Sequence, residues 1–103
     1  MVIFEKMYDG NNIDDIWEDI YFFIDSGKLD IDSAGIMIGH IKMSLEYKNG
    51  DINKKVFENI YYGNHLIDLG KDLDSFLNND DIDTDINGEI FGDVKIFLEY
   101  KKV

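Results

Sequence analysis

From residue 40 onward, apolar and polar residues alternate: Ile41, Met43, Leu45 and Tyr47 fall on one side of an extended segment, His40, Lys42, Ser44 and Glu46 on the other. Val94, Ile96, Leu98 and Tyr100 repeat that period of two, which predicts a half-buried strand in each place. Residues 2–8 and 55–61 are shorter β-branched and aromatic runs, each followed by a Gly-Asn turn. Between these strands the period changes. Ile13, Ile16, Ile20, Phe23 and Ile24 recur at helical spacing, as do Leu66, Leu69, Leu73, Phe76 and Leu77. The pattern predicts two amphipathic helices. Asn11 or Asn12, and Asn64, are candidate helix caps. Gly27 and the Asn78-Asn79 pair are the candidate stops. Asn49-Gly50 is a hairpin signal, and Gly39 and Gly92 mark a bulge or bend near the start of their strands.

These elements form two copies of one unit. Sliding the sequence by 53 residues aligns 1–50 with 54–103 without a gap, pairing VIFEKMYDGNN with KVFENIYYGNH and GHIKMSLEYK with GDVKIFLEYK. Identical pairs include Tyr8/Tyr61, Asp19/Asp72, Gly39/Gly92, Glu46/Glu99 and Tyr47/Tyr100. The order strand-helix-strand, twice, predicts an α+β fold: a ferredoxin-like βαββαβ plait from a tandem duplication, an antiparallel sheet with two helices on one face. In that plait the first strand of each unit is expected at the centre and the second at the edge. A competing detail is a short extra strand at 28–31 forming a hairpin with 36–38. The whole chain, 1–103, is expected to make one domain of two repeats, 1–50 and 54–103.

Composition narrows the chemistry. There is no cysteine, so disulfides, zinc-thiolate sites and thiol catalysis are excluded. The N-terminal MVIFEKMYDG has no long apolar run, and no stretch is long enough for a membrane span, so a cytoplasmic protein is expected. Twenty-two acidic residues against 10 basic give a net charge of −12. That charge repels nucleic acid and anionic lipid and attracts a basic partner.

The stretch DTDINGEIFGDV, residues 83–94, begins like a calcium-binding loop, with Asp83, Asp85 and Asn87 at alternate positions before Gly88. The acidic residue that such a loop needs at its twelfth position is replaced by Val94. The first copy, DIDSAGIMIGHI, keeps Asp30, Asp32 and Gly35 but has Ala34 in place of Asn87. What the copies share is a turn: Asx side chains bonding local backbone, then Gly at positive φ. Weak cation binding at Asp83–Gly88 is the alternative; otherwise neither a metal site nor a cofactor is expected.

Glu5 and Glu58, on neighbouring central strands of the expected plait, are a candidate carboxylate pair, with a structural role paired to lysine as the alternative. Phe4, Tyr8, Phe57 and Tyr61 share a parity that places them either on the open sheet face, as a partner, ligand or self-association surface, or in the core. His40 and His65 lie in no ligand-spaced cluster and suit surface or cap positions. Trp17, matched by Gly70, fits a partner anchor or core packing. No catalytic constellation emerges, and a non-enzymatic protein is expected.

The acids cluster. Asp14, Asp15, Glu18, Asp19 and Asp25 lie on the first predicted helix and its exit, and nine acids with one lysine lie between Asp68 and Asp93. In this respect the chain resembles, as a class, the small acidic immunity proteins that neutralise bacterial nuclease toxins. The resemblance rests on those two acidic surfaces rather than on a motif. It implies a cytoplasmic inhibitor that covers the basic active site of a cognate toxin, probed by contacts from Asp14, Asp15, Trp17, Glu18, Asp19, Tyr21, Asp72, Asp74, Asp80, Asp81, Asp83, Asp85, Glu89 and Asp93. Two rivals remain: a phage anti-defence inhibitor that mimics DNA charge, and a dimerising or ligand-binding ferredoxin-like domain, for which a homodimer is expected.

Overall fold

The computed structural model describes residues 1–102. Strand β1 (Val2–Tyr8) is followed by helix α1 (Asp15–Ile24), strands β2 (His40–Asn49) and β3 (Asn53–Tyr62), helix α2 (Leu66–Leu77) and strand β4 (Asp93–Lys101). The four strands form one antiparallel sheet in the order β1-β4-β2-β3. Both helices pack on the same face: Phe4 meets Phe23 of α1, and Phe57 meets Phe76 of α2. The fold is α+β. Among the described residues no helix is long and apolar enough to cross a membrane.

The expectation that β1 and β3 would be central is overturned. They are the two edges, and β2 and β4 form the middle of the sheet. The side chains explain the choice. On their helix-facing side β2 and β4 present runs of buried apolar residues, Ile41, Met43, Leu45 and Tyr47 and then Val94, Ile96, Leu98 and Tyr100. The edges carry inward polar groups instead: Lys6 on β1, and Lys55 and Asn59 on β3. Such inward polar groups discourage further strand addition at an exposed edge.

This order interleaves the repeats. Each strand of one repeat has only strands of the other repeat as neighbours across β1-β4 and β4-β2, and β3 closes on β2 through the Asn49–Asn53 hairpin. The 53-residue offset is visible in the register. Ser44 and Phe97 are 53 residues apart and are also cross-strand partners, so a pseudo-twofold axis runs between them. On the helical side Trp17 and Gly70 are a second such pair: a Cβ on Gly70 would lie 3.9 Å from the Trp17 ring. Two large residues cannot share the axis, and in both places a large one faces a small one.

The expected caps are not formed. Asp14 and His65 occupy the N-cap positions without side-chain capping bonds, while the Asn12 side chain accepts from the Asp9 amide within the preceding turn. Asp25 caps the end of α1, two residues before Gly27, and Asn78 ends α2 as expected. The hairpin expected at 28–38 is present as a bridge between Ile31 and Met37, and Thr84 and Ile90 repeat it. Gly39 and Gly92 lie just outside their strands rather than inside a bulge. A Cβ there would come within 2.2 Å of the Lys101 and Lys48 carbonyl oxygens, respectively.

Candidate functional site

The parity of the edge strands decides which aromatic residues can take part in a surface. Tyr8 and Tyr61 are buried, and Phe4 and Phe57 pack against the core beneath the helices. Of the two placements open to these four aromatics, the core is the one found, and the open-face platform is excluded. Ile3, Met7, Val56 and Ile60 occupy the open face in their place. Glu5 and Glu58 also lie on that face, but on opposite edges of the sheet, with two strands between them. They cannot share a proton. Each holds a lysine, Glu5 with Lys95 at 2.9 Å and Glu58 with Lys42 at 3.4 Å. The Lys95 ammonium is pushed up by its hydrogen bond to Glu5.

Part of the predicted acidic surface serves the fold. Asp19 accepts from the Tyr8 hydroxyl at 2.7 Å and from Lys6 at 2.8 Å. These bonds, Lys6 first, hold its carboxyl below the usual range, while burial and the adjacent carboxylate push the Tyr8 hydroxyl well up. Asp72 repeats the arrangement, accepting from Tyr61 at 2.6 Å and from Asn59 at 3.2 Å. Asp83 accepts from Asn49 at 2.8 Å and Asn53 at 3.2 Å, which lowers its pKa. Asp85 accepts from the amides of Asn87 and Glu89, as Asp32 accepts from those of Ala34 and Ile36. Gly35 and Gly88 follow at φ 81° and 82°. The stretch that resembles the start of a calcium loop is thus a twice-repeated Asx turn, with the Asp32 and Asp85 carboxylates turned onto nearby backbone amides.

The remaining acids are differently placed. Asp14, Asp15, Glu18, Asp74, Asp80, Asp81 and Glu89 are all exposed. Three of them, Asp14, Asp74 and Asp80, line one groove of about 530 Å³ between the start of α1, the end of α2 and the loop beyond it. Trp17 and Ile90 also line it. Trp17, 43% exposed, thus bridges both expected roles: one edge of the ring meets Gly70 and another is open to the groove. Tyr21 is exposed one turn further along α1 against Phe22. Asp93 stands apart, at the start of β4 and cross-strand from Lys48. The two histidines take surface positions, His40 beside Tyr62 and His65 at the N-cap of α2, 3.6 Å from Asp68.

Sequence reasoning did not single out Tyr47 and Tyr100. Each reaches out of the repeat that contains it. The Tyr47 hydroxyl donates to the Phe91 carbonyl at 2.6 Å and accepts from the Asp83 amide at 3.1 Å. The Tyr100 hydroxyl donates to the Ile38 carbonyl and accepts from the Asp30 amide at 3.2 Å. The offset between the two sets is 53 at every atom pair. The identity of Tyr47 and Tyr100 in the repeat alignment was the available signal.

Comparison with known protein families, with curated proteins and with solved structures returned no match.

Proposed function

We propose that this chain is a non-enzymatic acidic binding protein that takes a basic protein partner on its helical side, in the manner of an immunity protein covering the active site of a toxin nuclease. The observation that carries the reading is the groove that Asp14, Asp74 and Asp80 line together with the partly exposed Trp17. Carboxylates on the walls and an indole beside them suit a lysine or arginine side chain, by charge and by cation–π contact. The acids that hold tyrosines and turns, Asp19, Asp72, Asp83 and Asp85, rank below the exposed set as contacts. They fix the surface on which Asp14, Asp15, Glu18, Asp74, Asp80, Asp81 and Glu89 are displayed. The fold fits the same reading as a tandem duplication related to the ferredoxin-like plait, with its central and edge strands exchanged, in which the second copy carries acids that the first lacks.

The test is affinity capture from a lysate of the organism that carries the gene, at 50 mM and 500 mM salt, with the native chain and with a triple Asp14→Asn, Asp74→Asn, Asp80→Asn variant. A basic protein captured by the native chain at low salt, and lost at high salt or with the variant, supports the reading. Equal capture by both chains refutes the groove as the contact.

A further inference from the structure

The open face of the sheet carries a different chemistry from the rest of the molecule. Across it, cross-strand partners run in rows: Ile3, Glu99, Lys42, Ile60; then Glu5, Phe97, Ser44, Glu58; then Met7, Lys95, Glu46, Val56. With the flanking positions included, the carboxylates of Glu5, Glu46, Glu58, Asp93 and Glu99 on this face are matched by the ammonium groups of Lys42, Lys48, Lys54, Lys95 and Lys101, on a chain whose net charge is −12. Apolar residues stand at the corners and Phe97 at the centre. Beside Phe97 the small Ser44 leaves a depression of about 530 Å³, bounded further by Val56 and Glu46.

We propose that this face docks on the same face of a second copy of the chain, about a two-fold axis parallel to the strands and lying between β2 and β4. The rotation exchanges the two central strands and the two edges. Phe97 of each copy then sits over Ser44 of the other, filling the depression. Each row meets itself reversed, so Ile3 faces Ile60, Met7 faces Val56, Lys95 faces Glu46 and Glu99 faces Lys42. Asp93 faces Lys48 beyond them. Glu5 comes over Glu58, but each brings its own lysine, at 2.9 Å and 3.4 Å. An axis perpendicular to the strands would match the charges equally well but would set Phe97 on Phe97 with both depressions empty. The central large-small pair selects the first arrangement.

A second copy suits this face better than a basic or an acidic partner. Face-to-face pairing leaves the net negative helical sides pointing outward, away from each other, and the joined faces are electrically balanced. Four strands at about 4.8 Å spacing and roughly nine residues long give about 550 Å² of sheet face per copy. Twice that area falls at the low end of specific interfaces, so the dimer is weak, with Kd on the order of 10 µM to 1 mM. The twist of the sheets aligns the central rows best.

Cysteine crosslinking tests the geometry in the full chain, which has no native cysteine. Within one copy Met7 and Val56 lie three strand spacings apart, about 14 Å, farther than the two residues that face each other across packed sheets. Packed sheets stand about 10 Å apart, too far for a direct disulfide, so a Met7→Cys, Val56→Cys double variant is expected to form covalent dimers with a short bis-maleimide crosslinker at about 100 µM, a concentration inside the expected Kd range. Either single variant alone should remain monomeric, and the two singles mixed should give the mixed dimer. Sedimentation of the native chain should show mass rising with concentration. Phe97→Ser and Ser44→Phe should each weaken association by about tenfold or more, the first by removing the knob and the second by filling its socket. Circular dichroism confirms folding of each variant. A native chain that stays monomeric to millimolar concentration, whether or not another protein covers the face, overturns the proposal. So do single-cysteine variants that crosslink as readily as the double, or a Ser44→Phe chain that associates more tightly.

Discussion

Replacing Tyr47 by Phe tests how the two repeats hold each other. The ring of Tyr47 is fully buried, and Phe fills the same volume, so no cavity opens. What is lost is one hydroxyl with two bonds, to the Phe91 carbonyl and from the Asp83 amide. Both partners are backbone groups of the loop that leads into β4, in the other repeat. Losing the two bonds costs about 1–2 kcal/mol, allowing for partial rescue of the loop groups by water. For a domain of this size that is a fall in melting temperature of about 5–10 °C. The location is as informative as the size. Amide exchange should accelerate at Asp83 and its loop neighbours, in the repeat that does not contain the substitution. Tyr100→Phe should do the same at Asp30 in the first repeat. Because the two clasps share no partners, the double variant should lose the sum of the two costs. Urea unfolding with exchange read by NMR measures all of this. A Tyr47→Phe chain within about 0.3 kcal/mol of the native one, far below the expected loss, or faster exchange confined to residues near 47, would refute the reciprocal clasp.

Three further outcomes follow from single residues. Gly70→Ala should raise stability by about 0.5–1 kcal/mol in urea unfolding, because it sits inside α2 and its new methyl would meet only the Trp17 ring, at 3.9 Å. Gly92→Ala should cost about 2–5 kcal/mol, since φ is 91° and the added carbon would lie 2.2 Å from the Lys48 carbonyl oxygen; an unchanged melting temperature would count against that close approach of Gly92 to β2. Asp19 has a lowered carboxyl pKa when folded, so the stability it contributes is present above about pH 4, its ordinary range, and is lost as pH falls through the folded value. Asp19→Asn should therefore flatten that acid limb relative to the native chain, as read by melting temperature from pH 6 to pH 2.

The residues made some of this legible and hid the rest for identifiable reasons. Helix and strand periods were strong because Ile16, Ile20, Leu69 and Leu73 and the alternating β2 and β4 residues all face one core. The repeat was legible because its hydrogen-bonded residues, Asp32/Asp85 and Gly35/Gly88 among them, are identical. Strand order was not, because both orders satisfy the same apolar pattern; the discriminating sign was Lys6, Lys55 and Asn59 pointing inward on the edges. The open-face parity of β1 and β3 was hidden because Ile3 and Met7 are as apolar as Phe4 and Tyr8. In the acidic surface, charge alone did not separate Asp14, Asp74 and Asp80, which line the groove, from Asp19 and Asp72, whose oxygens are taken by tyrosines.

The interleaved sheet also sets the timetable on which this chain can fold. β1 pairs only with β4, so Val2 must wait for Tyr100. While the chain is being synthesised, the first repeat has its helix and two strands but no neighbour to lie between them. Neither its sheet nor the clasp on its 30–38 loop can close until the last residues of β4 have emerged. Folding is thus late, long-range and comparatively slow, and during that interval the nascent chain has β1 unpaired and β2 with only β3 on one side. Its own acids, Asp14 to Asp25, are already present to keep those strands from other nascent chains.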